Sequence, residues 1–413
     1  MQYPKVLLLG EPFNDYSGMG ITLLNLFHDW PKENIAVASY NLDVNLCERL
    51  RPCAQYVPFG GGMRTMAQPT KQVQRKKGPK SVLRTYFGRL YSRLGLSDSR
   101  HIPVTSSLLD CIDSFRPDII LSALGSLDRI KFCEEVIQYA PSAKLALYVV
   151  DDWPNTKFNG RFCQWWWRKK YDVAYRRILA KADVCMSICQ TMSDAYMAQY
   201  GVKFYPFHNP VEVAKWDAIE KVRKYDEDVF SVLYVGKINR DTQQPLIDLC
   251  EAVTELNKNG EKVIFDVYSP NVKHDIDPSK YRGCNIHSQV PNAEIPKLMK
   301  SYDALFLTLG FSEVSRKYVR LSMPTKLTEY LVSGVPILLY CPEEIALSKY
   351  VSKHGAAVVC NQPDKTMLQQ LLLDMIHNEE YSEGVVSRAR DLSLQHDVQI
   401  VRERFRKTLS SIV

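Results

Sequence analysis

Two stretches of the chain combine glycine, cations and a carboxylate as a phosphate-bearing ligand requires. The first, GKINRD at 236–241, follows the apolar run SVLYV. Gly236 lets a ligand approach the backbone there, and Lys237 and Arg240 can neutralise the charges of a diphosphate leaving group. The second, SMPTKLTEYLVSGVPIL at 322–338, reads as a short helix ahead of a buried strand. Ser322 and Pro324 suit its start, and Gly334 followed by Pro336 suits its end. Thr325 and Lys326 then stand where the free N–H groups and dipole of a helix attract an anion. Glu329, one turn deeper, can accept two hydrogen bonds from a ribose diol. The plainer alternative is a solvated polar face opposite the apolar stripe Leu327, Tyr330 and Leu331, together with a solvated basic loop.

Two further stretches carry candidate chemistry. FNDYSGMGITLLNLF places Gly18 and Gly20 just ahead of a helix, either as a loop that admits a ligand or as a tight turn. No acid follows a second strand as a dinucleotide fingerprint requires, which argues against a dehydrogenase. LALYVVDDWPNTKF, at 145–158, ends an apolar strand on two carboxylates. Asp151 or Asp152 could orient an acceptor hydroxyl or take its proton; a metal-binding acidic pair and a helix cap are the alternatives. DED at 226–228 reads as a solvated turn. Eleven cysteines without paired spacing read as reduced thiols, and the histidines show no ligand spacing, so no metal site is expected.

These residues need a scaffold, and the chain alternates strand and helix throughout. Strands are predicted at 5–10, 34–40, 117–124, 144–150 and 182–188, with helices at 20–30, 105–115, 126–139, 165–181 and 190–200 between and after them. After a charged connection near 208–228 the pattern restarts: strands at 231–239, 262–269, 285–290, 304–310, 336–340 and 356–360, with helices at 243–258 and 292–300 and the helix beginning at Ser322. Runs such as IILSAL and LALYVV are apolar on both faces, as a parallel sheet covered by helices demands. Two doubly wound α/β domains are the economical reading, 1–212 and 213–385, with a helical run at 386–413 packing back. In such sheets ligands sit at the carboxyl ends of the strands, so those edges are expected to face a shared cleft.

The 413 residues exceed one ordinary core, and 46% apolar with 24% charged residues fits a globular protein. The strand-like KVLLLG begins almost at once, with no apolar signal segment and no run long enough to span a bilayer, so the cytoplasm is the expected location. Net charge is +7, yet the segment 64–101 alone carries ten Lys or Arg against one acid. Within it VLRTYFGRLYSRLG has apolar residues at helical spacing among arginines, which suits an anionic lipid surface or a core-facing helix. Nucleic acid is not expected, because no recognised module accompanies the segment. QWWWRKKY at 164–171 could add an aromatic anchor or be buried.

Together these motifs resemble the family 4 GT-B glycosyltransferases, retaining enzymes that build bacterial glycans. The resemblance runs through the glycine loop at 17–20, the strand end at 149–153, HNPVE at 208–212, YVGKINR at 234–240 and SMPTKLTEYLVSGVPIL. It implies a GT-B architecture of two Rossmann-like doubly wound domains facing a central cleft, with a C-terminal helix crossing back to the first. It implies a UDP- or GDP-linked sugar donor as substrate and no separate cofactor. By this resemblance Lys237 and Arg240 face the diphosphate, Lys326 assists and Glu329 binds ribose, with Gly18, Gly20, Gly236, Ser322 and Thr325 completing the donor set. Asp151 and Asp152 stand where relatives carry an acceptor-side histidine or aspartate. Relatives have another glutamate eight positions before the ribose-binding one, where this chain has Leu321, and Glu313 in GFSEVSRKYVRLS is the candidate substitute. The implied reaction is transfer of a hexose, with retention, to a glycan or lipid-linked acceptor in bacterial surface polysaccharide synthesis, with peripheral contact on the inner membrane face through 64–101. A non-catalytic subunit of the same fold and a sugar-nucleotide epimerase are the alternatives.

Overall fold

The computed structural model describes residues 3–40, 42–59, 101–158, 162–270 and 276–413. The basic insertion expected at 64–101 therefore lies, apart from His101, outside the described residues. The chain forms two compact units, Met1–His208 with Arg402–Val413, and Asn209–Val401.

Each unit is built on a parallel sheet, as strands apolar on both faces require. In the first unit β1 (Val6–Leu9), β2 (Ile35–Ser39), β3 (Gln55–Pro58), β4 (Ile119–Ser122), β5 (Lys144–Val149), β6 (Val184–Ser187) and β7 (Phe204–Pro206) lie in the order β3-β2-β1-β4-β5-β6-β7. Val6 is flanked by Ile35 and Ile119, so β1 is an interior strand with every residue buried. In the second unit β8 (Phe230–Val235), β9 (Val263–Ser269), β10 (Cys284–Ser288), β11 (Ala304–Thr308), β12 (Ile337–Tyr340) and β13 (Val358–Cys360) take the order β10-β9-β8-β11-β12-β13. The two orders repeat one plan. The first strand lies third from one edge, and the order reverses between it and the fourth, which leaves a crevice at the carboxyl ends of β1 and β4 and of β8 and β11. Helices cover the faces: Gln243–Lys258, for example, turns Leu246, Leu249, Val253 and Leu256 into the second core at three- and four-residue spacing.

Several elements escape the sequence pattern. Strands β3 and β7 are short edges that end in proline, which cannot donate to a further ladder. The helices Val44–Leu50, Glu313–Val319, Ala346–His354 and Lys365–His377 fall in stretches given no element above. The helical run expected from 386 is two helices, Glu379–Leu394 and Val398–Ser410. Their break is held by Val211 of the HNPVE stretch, whose N–H donates to His396 O at 2.9 Å and whose carbonyl accepts from Val398 N at 3.0 Å. From Arg402 onward the last helix belongs to the first unit, where Phe405 is buried against Phe27 and Phe207 at ring distances of 5.2 and 5.3 Å. All eleven cysteines are free thiols, and nine are buried.

Asp266, on β9, is a fully buried carboxylate in the second unit. Lys224 Nζ lies 2.6 Å from it, the Tyr225 hydroxyl donates at 2.7 Å and Asn285 Nδ2 at 2.9 Å, and the Tyr302 hydroxyl also donates to it. Lys224 donates to Tyr302 and Tyr268 as well, so the connection ahead of β8 is fastened to the sheet. Burial alone would raise the Asp266 pKa, but the hydrogen bonds from Lys224, Tyr302, Tyr225 and Asn285 outweigh it and hold the carboxyl below its usual range. A depressed carboxylate pKa adds stability above the unfolded value of about 4, and that stability is lost as pH falls toward the folded value. We expect Lys224→Met to cost about 3 kcal/mol in urea unfolding, the lower end for breaking a buried pair because Lys224 keeps some water. Asp266→Asn should flatten the acid side of the stability profile.

Candidate functional site

Within the second unit, the carboxyl ends of β8 and β11 bring the sequence candidates together. Strand β8 ends at Val235, and Gly236 donates its N–H to Tyr268 O at 3.0 Å. A Cβ at Gly236 would lie 2.7 Å from the Tyr234 hydroxyl, which itself donates to Lys237 O at 3.0 Å, so only glycine fits. The loop that follows is closed by its own side chains. Asn239 Oδ1 accepts from the N–H groups of Asp241 and Thr242 at 2.8 and 3.1 Å, and Thr242 Oγ1 donates to Lys237 O at 2.9 Å. This leaves Lys237 and Arg240 exposed on a braced turn, with Arg240 also 3.6 Å from Asp241.

The stretch from Ser322 departs from its expected form. Ser322 does not cap a helix: its N–H goes to Val319 O at 2.9 Å, closing the helix Glu313–Val319 that precedes it. The next helix begins at Leu327, follows a turn in which Leu327 N–H bonds Pro324 O at 3.0 Å, and has no side-chain cap. Glu329 therefore lies in its first turn rather than one turn deeper. Six residues make fewer than two turns, so the dipole is small and attraction for an anion falls mainly to Lys326. Lys326 Nζ pairs with Glu329 Oε2 at 3.0 Å, both side chains being about three-quarters buried. Thr325 is half-buried, and its carbonyl accepts from Asn209 Nδ2 at 3.2 Å.

Two contacts fix these stretches against each other. The Tyr330 hydroxyl accepts from Val235 N–H, just before Gly236, and reaches Phe306 O on β11, both at 3.3 Å. Ser315 Oγ donates to Asp241 Oδ1 at 2.5 Å, and a Cβ at Gly310 would lie 2.7 Å from Asp241 O. The bracing roles of Asp241, Gly310, Ser315, Tyr330 and Asn209 were not read from the sequence, where Tyr330 figured only in an apolar stripe. Only the glycine carried a signal, as a break at the end of a strand run. Glu313, at the start of that helix, is exposed and paired with Lys317 at 2.6 Å, and that pair lowers its pKa. Leu321 is buried.

In the first unit the two adjacent carboxylates part. Asp152 is buried, and its Oδ1 accepts from Asn155 Nδ2 at 2.8 Å and from the Tyr196 hydroxyl at 3.2 Å, so it braces the turn after β5. Asp151 has no side-chain hydrogen bond to another described residue; desolvation raises its pKa, Lys157 opposes, and Glu11 and Asp152 add to the rise. At Ser17 the helix Gly18–Leu26 is capped, its Oγ accepting from Gly20 N–H at 3.1 Å. A Cβ at Gly20 would collide with the Asn14 amide, which accepts from Ser17 N–H at 2.8 Å, so this glycine serves the turn. Gly18 is exposed at the first helical position. Among the described residues no group of three or more His, Cys, Asp or Glu could hold a metal ion, and no helix is long and apolar enough to cross a membrane.

The whole chain superposes on solved structures of nucleotide-sugar enzymes. Anabaena HepE, in complex with UDP and glucose, aligns at a TM-score of 0.65 with 14% identity, over 99% of this chain and all of its own. Sucrose-phosphate synthase from Thermosynechococcus elongatus aligns at 0.64 with 9% identity over 99% of both chains. The chain has the GT-B fold. A Listeria monocytogenes protein described as a UDP-N-acetylglucosamine 2-epimerase shares it at 0.55 and 13% identity, over 98% of this chain and 95% of that one. No family model and no curated protein matches the sequence. If Ser315 holds the basic loop, Ser315→Ala should cost about 1.5–3 kcal/mol, the range for a hydrogen bond to a charged group. Glu313→Ala on the same helix removes an exposed side chain and should leave the urea midpoint unchanged.

Proposed function

We propose that the chain is a glycosyltransferase that holds a UDP- or GDP-linked sugar on its second unit and passes a hexose to an acceptor hydroxyl. The observation that carries this is the braced loop at 236–242, with Lys237 and Arg240 exposed at the switch point of the sheet, fastened through Tyr330 to the helix bearing Lys326 and Glu329. Superposition on HepE with UDP and glucose supports the donor class.

Lys326 and Glu329 pair with each other at 3.0 Å. A nucleoside diphosphate sugar offers both a better partner: phosphate for the ammonium, and the ribose diol for the carboxylate, which accepts two hydrogen bonds. Lys237 and Arg240 then meet the charge that grows on the diphosphate as the glycosidic bond breaks. In front-face transfer with retention the departing diphosphate takes the acceptor proton, and no separate nucleophile is needed. Asp151 is the acceptor-side carboxylate in this reading, orienting the hydroxyl, whereas Asp152 holds the turn beneath it. A glycan or lipid-linked acceptor of bacterial surface polysaccharide completes the proposal.

One observation favours a second reading, a non-catalytic subunit: the position where the resemblance expects a sugar-contacting glutamate is the buried Leu321, and Glu313 is engaged with Lys317. Detectable donor turnover excludes it, and donor converted without any acceptor would point to epimerisation instead.

UDP or GDP at about a hundredfold over Kd should stabilise the protein by about 2.7 kcal/mol, read as a rise in Tm. Failure of both nucleotides to raise Tm would remove the donor site. Lys237→Ala should lower turnover by about 10²-fold or more, as loss of one preorganised donor does. Because burial raises the Asp151 pKa, its ionised form is lost as pH falls through a value above the usual carboxylate range of about 4. The acid limb of kcat/KM should therefore lie above that range, and Asp151→Asn should abolish the limb as well as lower the rate.

A further inference from the structure

The helix Gln164–Leu179 of the first unit splits its run of three tryptophans. Trp167 turns inward and stacks on Phe158 at 5.5 Å, whereas Trp165 and Trp166 turn outward, 67% and 44% exposed, near Phe162 at 70%. Helical spacing then sets Lys169 and Val173 in line with Trp165, and Lys170 beside Trp166. A shallow groove of about 340 Å³ runs from Trp166, Lys170 and Val173 to Leu127 and Lys131 on the neighbouring helix Leu127–Tyr139.

The charges of this face are one-sided. Two acids of these helices are already paired, Glu134 gripped by two nitrogens of Arg177 at 2.5 and 2.6 Å and Asp172 by Arg176 at 2.8 Å, while Asp128 and Glu135 are paired with no lysine or arginine side chain among the described residues. Lys131, Lys169 and Lys170 have no acidic partner among the described residues. Lys170 Nζ instead lies 4.9 Å over the Trp166 ring. Three large exposed aromatics call for cover, and three uncompensated ammonium groups select what supplies it. A second copy of the same face would set cation against cation. An anionic bilayer satisfies both, since indole rings settle at headgroup depth and lysines bind lipid phosphate.

We propose that Phe162, Trp165 and Trp166, ringed by Lys131, Lys169 and Lys170, dock the protein on an anionic phospholipid bilayer. This surface is separate from the nucleotide-binding reading and is tested without donor or acceptor.

The full chain should cosediment with vesicles of equal parts phosphatidylcholine and phosphatidylglycerol and not with phosphatidylcholine alone. Lys169→Gln with Lys170→Gln should weaken that binding about thirtyfold, the loss expected for two cations near the surface. With bromine on the acyl chains, tryptophan fluorescence should be quenched in the natural chain, and Trp165→Phe with Trp166→Phe should remove the quenching while leaving binding largely in place. Because these side chains are exposed, unchanged Tm values are expected for both double variants. Equal binding to neutral vesicles, unaltered binding in the lysine variant, or quenching that persists without Trp165 and Trp166 would each overturn the proposal.

Discussion

The second unit is organised around one buried hydroxyl. Tyr330 receives the Val235 N–H and gives to the Phe306 carbonyl, so a single side chain spans the two central strands where the sheet order reverses. That point is where backbone groups at the carboxyl end of β8 would otherwise lack a neighbour, because the connections from β8 and β11 diverge. By filling it from the helix Leu327–Val332, the fold sets the register of Lys326 and Glu329 against the loop at Gly236. The helix that bears Lys326 and Glu329 in or beside its first turn is thereby tied to the strand that ends at the loop carrying Lys237 and Arg240.

The framework was largely readable in the chain, and the reasons are specific. Runs such as VLLL at β1 and ILLY at β12 are apolar on both faces, which leaves the parallel sheet as their only stable home. Glycine after an apolar strand marked the loop at 236, and the helix Gln243–Lys258 announced itself by amphipathic spacing. What stayed hidden is tertiary. Ser322 looked like a helix cap because serine before proline usually is one. Its N–H is instead taken by the preceding helix, an element whose polar sequence SEVSRKY carries no apolar stripe.

The bracing of the candidate site was illegible for the same reason. Ser315 and Asp241 are separated by 74 residues, and neither type at its own position implies the other. Asn209 finds the Thr325 carbonyl across 116 residues. Likewise DD at 151–152 cannot say which carboxylate is held: that depends on Tyr196, a residue on another helix. Pairs of adjacent identical groups are distinguished only by what folding places beside each.

The helix Val398–Ser410 bears on how the protein is made. Phe405 completes an aromatic cluster with Phe27, Trp30 and Phe207, so residues on either side of the whole second unit in the chain share one core. During translation, at roughly 5–20 residues per second, the amino-terminal half emerges long before that ring exists. It must wait with an open greasy seam while the second unit is still being threaded out, which makes the nascent chain a natural client for chaperones.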